Sequence, residues 1–286
     1  FVVAVWGKDF VPGAHFEVVR AAAETMFLPT VDVFLPVCGE DIALLRNTWT
    51  YVAALDYPRF VVHVLDDGAK DDVRDLAEAF GFQYIRRDDR PHMKKAGNLR
   101  YTFARTSGDA VVIFDADFCP RTDFLKETTP YLFDSAIGIV QTPQYFRFRK
   151  EQTWVEQGAG VSQEFFYRMV QMNQDRFSGA VCVGSCALYR RSAVEPFGGV
   201  MPISHSEDMY TGFKMTELGY KIKYLPSIWR WVLAQTSRAA SSCSSTAGAW
   251  VAPPSSRRRV SGRETCPGST KSASSTDFFT TLRRDW

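Results

Sequence analysis

Two rhythms of apolar and polar positions alternate along this chain. Short unbroken apolar runs occur at 31–36, 60–65, 111–114 and 137–141, too short for helices and rich in β-branched residues, so they predict strands buried on both faces. Between them, apolar residues return every three or four positions: Ile42, Leu45, Trp49 and Val52, then Val73, Leu76 and Phe80, then Leu99 and Phe103. Those spacings predict helices with one buried face. Tyr84-Ile85 adds a short strand, and Pro36 is expected to stop the first one. Strands alternating with helices predict an α/β domain whose sheet is mostly parallel, with helices on both faces.

The second half continues less regularly. A helix is expected over roughly 157–174, and an apolar strand over 180–188 broken at Gly184-Ser185. Ser206-Glu207-Asp208 opens a helix with Met209, Phe213 and Leu218 inward and Gly219 as its stop, and a last strand covers 222–225. Residues 1–29 form an apolar approach segment of helical character, residues 30–226 the main domain, and residues 227–286 a Ser-, Arg- and Ala-rich stretch without periodicity. Phe1 in place of a methionine makes the chain look like a fragment, and no run reaches the ~18 apolar residues of a membrane span.

Charge changes this picture only at the end of the chain. The net charge is +2, but from Ser227 onward nine Arg and Lys face three acids, so that stretch carries +6 and the rest −4. The basicity therefore belongs to the tail, and no nucleic-acid face is expected. Six cysteines without paired CxxC spacing are expected to be reduced thiols.

The chemistry gathers where strands end. Asp115 and Asp117 follow the apolar run 111–114 at i and i+2, a spacing that in extended backbone puts both carboxylates on one side. Two adjacent carboxylates demand a cation, and oxygen pairs suit Mg²⁺ or Mn²⁺ holding a phosphate-bearing substrate. The alternative is a solvated acidic turn. Asp66-Asp67-Gly68 is either a carboxylate pair for a nucleoside or an ordinary turn. The cation in His92-Met93-Lys94-Lys95-Ala96-Gly97-Asn98, at a helix start, suits a phosphate or is a solvated basic loop. Asp208, at another helix start, is a base that the helix dipole is expected to keep ionised, or part of a simple cap. Taken together on the carboxyl rim of a parallel sheet, these residues describe a nucleotide, a phosphate, a metal and a base.

The ordered series Val37-Cys38-Gly39-Glu40, Asp66-Asp67-Gly68, Lys95-Ala96-Gly97-Asn98, Asp115-Ala116-Asp117, Gln141-Thr142-Pro143, Val183-Gly184-Ser185-Cys186 and Ser206-Glu207-Asp208 resembles the processive family 2 glycosyltransferases. Within them it is similar to the catalytic domain of bacterial cellulose synthases, over roughly residues 30–226. The resemblance implies a GT-A fold, a UDP-sugar donor with UDP-glucose as first candidate, a glucan acceptor, and Mg²⁺ or Mn²⁺. It implies that Glu40, Asp66, Asp67 and Lys95 line the nucleotide and that Asp115 and Asp117 hold diphosphate and metal. Asp208 would be the base, with Gly184, Ser185 and Glu207 beside the acceptor. It also implies a longer protein embedded in the inner (plasma) membrane, with this domain on the cytoplasmic side and an export partner. Chitin- or hyaluronan-type chemistry, an inactive nucleotide-binding fragment and a metal-dependent nucleotidyltransferase are the rivals. Ser206, Gly39 and Val183 stand where the family commonly has Thr, Asn and Cys, and none of these removes a required group.

The family's Gln-x-x-Arg-Trp motif is absent from the sequence. Codons that encode 239–248 permit, in the neighbouring frame, Arg-Phe-Phe-Val-Gln-Gln-His-Arg-Trp, which contains it. Residues 227–286 are therefore expected to be either a basic disordered tail or the product of a frameshift near Ser227–Trp229.

Overall fold

The computed structural model describes residues 12–145, 153–226 and 232–234. Seven strands make the main sheet: β1 (Val31–Val37), β2 (Phe60–Asp66), β3 (Gln83–Ile85), β4 (Ala110–Ile113), β6 (Ile137–Gln141), β7 (Ala187–Arg190) and β8 (Lys221–Tyr224), ordered β3-β2-β1-β4-β7-β6-β8. Only β7 runs antiparallel to its neighbours, so the expected mostly parallel sheet is present. A second, two-stranded antiparallel sheet joins β5 (Phe118–Pro120) to β9 (Val232–Ala234). Apart from β9, the tail 227–286 lies outside the described residues, as do residues 1–11 of the approach segment; residues 12–24 of that segment form a helix.

Period-two alternation sorts the strand side chains between two cores. Val33, Leu35, Val112 and Phe114 pack on one face with Trp49, Val52, Val73 and Leu76 from the helices Ile42–Ala53 and Asp71–Ala79. Phe34, Val111 and Ile113 pack on the other with Leu99, Phe103, Tyr167 and Met215, from the helices Lys94–Phe103 and Glu207–Glu217 and the π-helical stretch Phe166–Gln171. Strands buried on both sides need no polar face, which is why they appear in the sequence as solid apolar runs.

Pro36 does not stop β1. In β1 the N–H of Val31 points toward β2, and that of every second residue does the same. The missing N–H of Pro36 therefore faces β4, whose pairing ended at Phe34↔Ile113, so no ladder bond is lost. The expected strand over 180–188 exists only from Ala187. Before it the backbone leaves the extended region at Gly184 (φ 80°) and Cys186 (φ 55°). The helix expected over 157–174 runs from Trp154 to Arg176 in three segments, the middle one π-helical. Cys119, Cys182 and Cys186 are buried reduced thiols, as expected, whereas Cys38 is disulfide-bonded, against the expectation. Among the described residues no helix is long and apolar enough to cross a membrane.

The strand order fixes where a ligand can sit. The chain moves outward from β1 to β3 and then returns to place β4 on the other side of β1, so β1 and β4 flank a switch point. Crevices form outside the carboxyl ends of such strand pairs. The ends of β1, β2, β4 and β6, the loop entering β7, and the starts of the helices Lys94–Phe103 and Glu207–Glu217 all meet on that rim.

Candidate active site

The DxD segment sits at the switch point, although not on extended backbone. β4 ends at Ile113, and residues 115–118 form a turn closed by the Phe118 N–H donating to the Asp115 carbonyl at 3.0 Å. The i and i+2 geometry of a strand therefore does not apply, and the turn is held by its neighbours instead. Thr48 Oγ1 donates to the Ala116 carbonyl at 2.7 Å, and the Asp115 N–H donates to Ser185 Oγ at 3.0 Å. The two carboxylates still feel each other. Burial and the Asp115 charge push the Asp117 carboxyl up to about 7, with Glu40 adding to the repulsion.

Lys95 is the cation of the site. Its ammonium is ion-paired with Asp115. Burial works against its charge, but Asp115, Glu207 and Asp208 outweigh it and hold it protonated. Lys95 thus pairs with one carboxylate and lies in the field of two more from a distant part of the sequence. Glu207 and Asp208 are each 7% exposed, at the start of the helix Glu207–Glu217. Their helix buries a polar face: Glu207, Asp208, Thr211, Gly212 and Met215 point inward, while Met209 and Phe213, expected inside, are 53% and 65% exposed. Leu218 is likewise outside at 45%, and Gly219 (φ 87°) ends the helix as expected. Ser206 does not act as a cap: it has φ 56° and makes no side-chain capping bond.

The helix start was expected to keep Asp208 ionised. Burial raises its carboxyl above the ordinary value, while the Met209 N–H at 2.8 Å and the Lys95 charge favour the anion. A raised carboxyl is a stronger base than a surface aspartate once it is ionised. Gly184 lies against it. At φ 80°, a Cβ there would stand 2.9 Å from the Asp208 β-carbon and 3.0 Å from its Oδ2, so only glycine lets this loop approach the carboxylate. Ser185 is different: fully buried, with its hydroxyl turned to the Asp115 amide, it supports the DxD turn from behind.

Gln141 shapes this loop. It is fully buried at the end of β6, accepts from the Val183 N–H at 2.8 Å, and donates to the Ser185 carbonyl at 3.0 Å and the Thr142 carbonyl at 2.9 Å. Its signal in the sequence was a single amide closing an apolar strand.

At the end of β2 the two aspartates do separate jobs. Asp66 is fully buried, and its oxygens accept from the Gly68, Ala69 and Lys70 amides and from Tyr84 at 2.7–3.2 Å. It folds the loop beneath the proposed nucleoside position. Asp67 is gripped by Arg87 at 2.8 and 2.7 Å. Glu40 turns back to accept from the Cys38 N–H at 2.6 Å, next to the Asp117 carboxylate that feels its charge. Asn98 Nδ2 pins the Lys95 helix to the Leu65 carbonyl at 2.8 Å.

A divalent ion would be held by Asp115 and Asp117. Their donor set fits: a raised, half-buried carboxyl beside a second carboxylate is relieved by positive charge, and two carboxylates plus substrate phosphates are a usual Mg²⁺ environment. Among the described residues no third His, Cys, Asp or Glu completes a cage.

Comparison with known proteins agrees with this geometry. Residues 32–198 match the glycosyl transferase family 2 domain. The chain is 37% identical over 204 residues to the UDP-forming cellulose synthase catalytic subunit of Pseudomonas fluorescens, covering 69% of this chain and 27% of that protein. It is 35% identical over 204 residues to cellulose synthase 1 of Komagataeibacter xylinus, covering 69% of this chain and 13% of that protein. The chain therefore spans about a quarter or less of these relatives. Among solved structures, a Pyrobaculum calidifontis mannosyltransferase in complex with GDP-Man and Mn²⁺ aligns with TM-score 0.57 at 21% identity, over 84% of this chain and 69% of that one. TarS of S. aureus in complex with UDP-GlcNAc aligns with TM-score 0.54 at 14% identity, over 74% and 61%. With its switch-point sheet and matching domain, the chain belongs to glycosyltransferase family 2 and has the GT-A fold.

Proposed function

We propose that this chain is the donor-binding and catalytic domain of a cellulose synthase-like enzyme that transfers glucose from UDP-glucose to the end of a β-glucan with inversion. The observation that carries the reading is the Lys95–Asp115 ion pair at the switch-point rim, with Gly184 against Asp208. UDP-forming cellulose synthase relatives and a UDP-GlcNAc complex among the fold neighbours support a UDP-sugar donor.

In this mechanism Asp208 accepts the proton of the acceptor hydroxyl as that oxygen bonds to the anomeric carbon. The bond from that carbon to the diphosphate oxygen breaks, and its electron pair leaves with UDP. A single displacement converts the α-linked donor to a β-linked product, and Lys95 balances charge on the departing diphosphate. Mg²⁺ or Mn²⁺ held by Asp115 and Asp117 would, when bound, neutralise the same developing charge. Asp67 and Glu40 line the nucleoside side, Asp66 shapes the loop beneath it, Gly184 and Glu207 form the acceptor side, and Ser185, expected there, supports the DxD turn. The whole protein would work at the cytoplasmic face of a plasma membrane beside an export partner.

Incubation with UDP-glucose and a cello-oligosaccharide tests this. UDP release with β-linked extension, lost in Asp208→Asn, is expected; equal release from UDP-N-acetylglucosamine would move the donor assignment to the chitin or hyaluronan type. UDP binding with no extension would instead leave a nucleotide-binding domain without polymerising activity.

A further inference from the structure

We propose that Arg87 is a positioning residue of the donor site, locking the carboxylate loop after β2 to the first turn of the Lys95 helix. The proposal rests on the donor reading above. Arg87 follows β3, and its side chain is 0% exposed. Its Nε and Nη2 take the two oxygens of Asp67 at 2.8 and 2.7 Å. Its Nη1 donates to the His92 carbonyl at 2.6 Å and reaches Asp89 at 3.4 Å, and Nη2 also donates to the Lys94 carbonyl at 3.0 Å. One rigid planar group therefore holds a carboxylate on one side and two backbone carbonyls of the helix start on the other.

Nearby residues are fitted to it. A Cβ on Gly97 would stand 2.4 Å from Arg87 Nη1 and 2.2 Å from the His92 carbonyl oxygen, so this position of the helix is kept bare where the guanidinium lies. Met93 (φ 52°) and Lys94 (φ 47°) both adopt left-handed backbone, just where the carbonyls of His92 and Lys94 turn toward Arg87. Burying a guanidinium is costly, and well-packed apolar residues often serve stability as well. What an apolar residue cannot do is fix Asp67 and the Lys95 turn relative to each other through directional bonds. A lysine could supply the charge but not the fork that meets both carboxylate oxygens and two carbonyls.

The test is calorimetric titration of UDP into the full chain, as wild type, Arg87→Lys and Gly97→Ala, with the thermal midpoint of each. We expect UDP affinity to fall tenfold or more in Arg87→Lys while the chain stays folded. Gly97→Ala, which keeps the charge and favours the helix by propensity but crowds the guanidinium, should reproduce the loss. If Arg87→Lys does not fold, Gly97→Ala decides by the same criterion. A lowered midpoint with UDP affinity within twofold of wild type would mean a merely structural arginine and would overturn the proposal. A wild-type chain that does not bind UDP overturns the donor reading and this proposal with it; wild-type binding alongside unaffected variants overturns this proposal alone.

Discussion

A methyl group at Gly184 would press on the β-carbon of Asp208, in a backbone conformation that side chains rarely adopt. Gly184→Ala should therefore displace the base and lower kcat at least tenfold, while UDP affinity, set on the other side of the rim, stays near wild type. Steady-state kinetics beside a UDP titration separates the two. Asp117 makes a second prediction. Burial and the Asp115 charge raise its carboxyl from 3.8 to about 7, so the folded chain holds a proton there that the unfolded chain has released. Stability from this group is thus full below the unfolded value and is lost as pH rises through the window from about 4 to 7. In metal-free buffer the wild-type thermal midpoint should fall across that window more steeply than that of Asp117→Asn, and Mn²⁺ should reduce the fall. Parallel pH profiles of the two proteins would contradict it. The carboxylates of this site were visible as residue types in the sequence; their shifted protonation was not, because it comes from neighbours brought in by the fold.

Elements became misleading where they serve the site. The helix Glu207–Glu217 was expected to bury Met209, Phe213 and Leu218, since apolar residues at helical spacing normally face the core. It buries Glu207, Asp208 and Thr211 instead, because its first turn closes the active-site rim. The loop before β7 was misjudged as strand for a related reason: its apolar residues pack inward, yet its backbone bonds go to the Gln171 and Gln141 side chains until Cys186 meets the backbones of Ile113 and Thr142. Arg87 gave no periodic signal, since its partners are carbonyls and a carboxylate that only the fold brings near. β1, β2, β4 and β6, by contrast, follow from apolar runs that two packed faces require. Gln141→Leu should leave the Val183 N–H and two carbonyls without partners, costing about 3 kcal/mol of stability and loosening Gly184 against the base. Chemical denaturation would measure the first effect and kcat the second; unchanged values for both would remove Gln141 from the account.

For the whole molecule, sheet order does what no single motif could. Parallel strands with a switch between β1 and β4 collect Glu40, Asp67, Lys95, Asp115 and Asp208 on one rim, although they are spread over much of the chain. That arrangement was legible from strand ends and helix starts together. The tail was not, and its coding capacity carries its own prediction. Genomic sequence across the codons for Leu225–Trp286 should show a neighbouring frame that encodes Gln-x-x-Arg-Trp followed by apolar runs long enough to span a membrane. A flank without such a frame would make residues 227–286 a native tail and would favour the nucleotide-binding fragment over the polymerising enzyme. The most direct test of the central claim is titration of UDP-glucose into the wild-type chain with and without Mg²⁺ or Mn²⁺, beside Asp115→Asn and Asp208→Asn. The account predicts metal-dependent binding, preferred over a guanosine diphosphate sugar, weakened at least tenfold by Asp115→Asn and preserved in Asp208→Asn. Binding indifferent to the metal and to Asp115, or no binding at all, would contradict it.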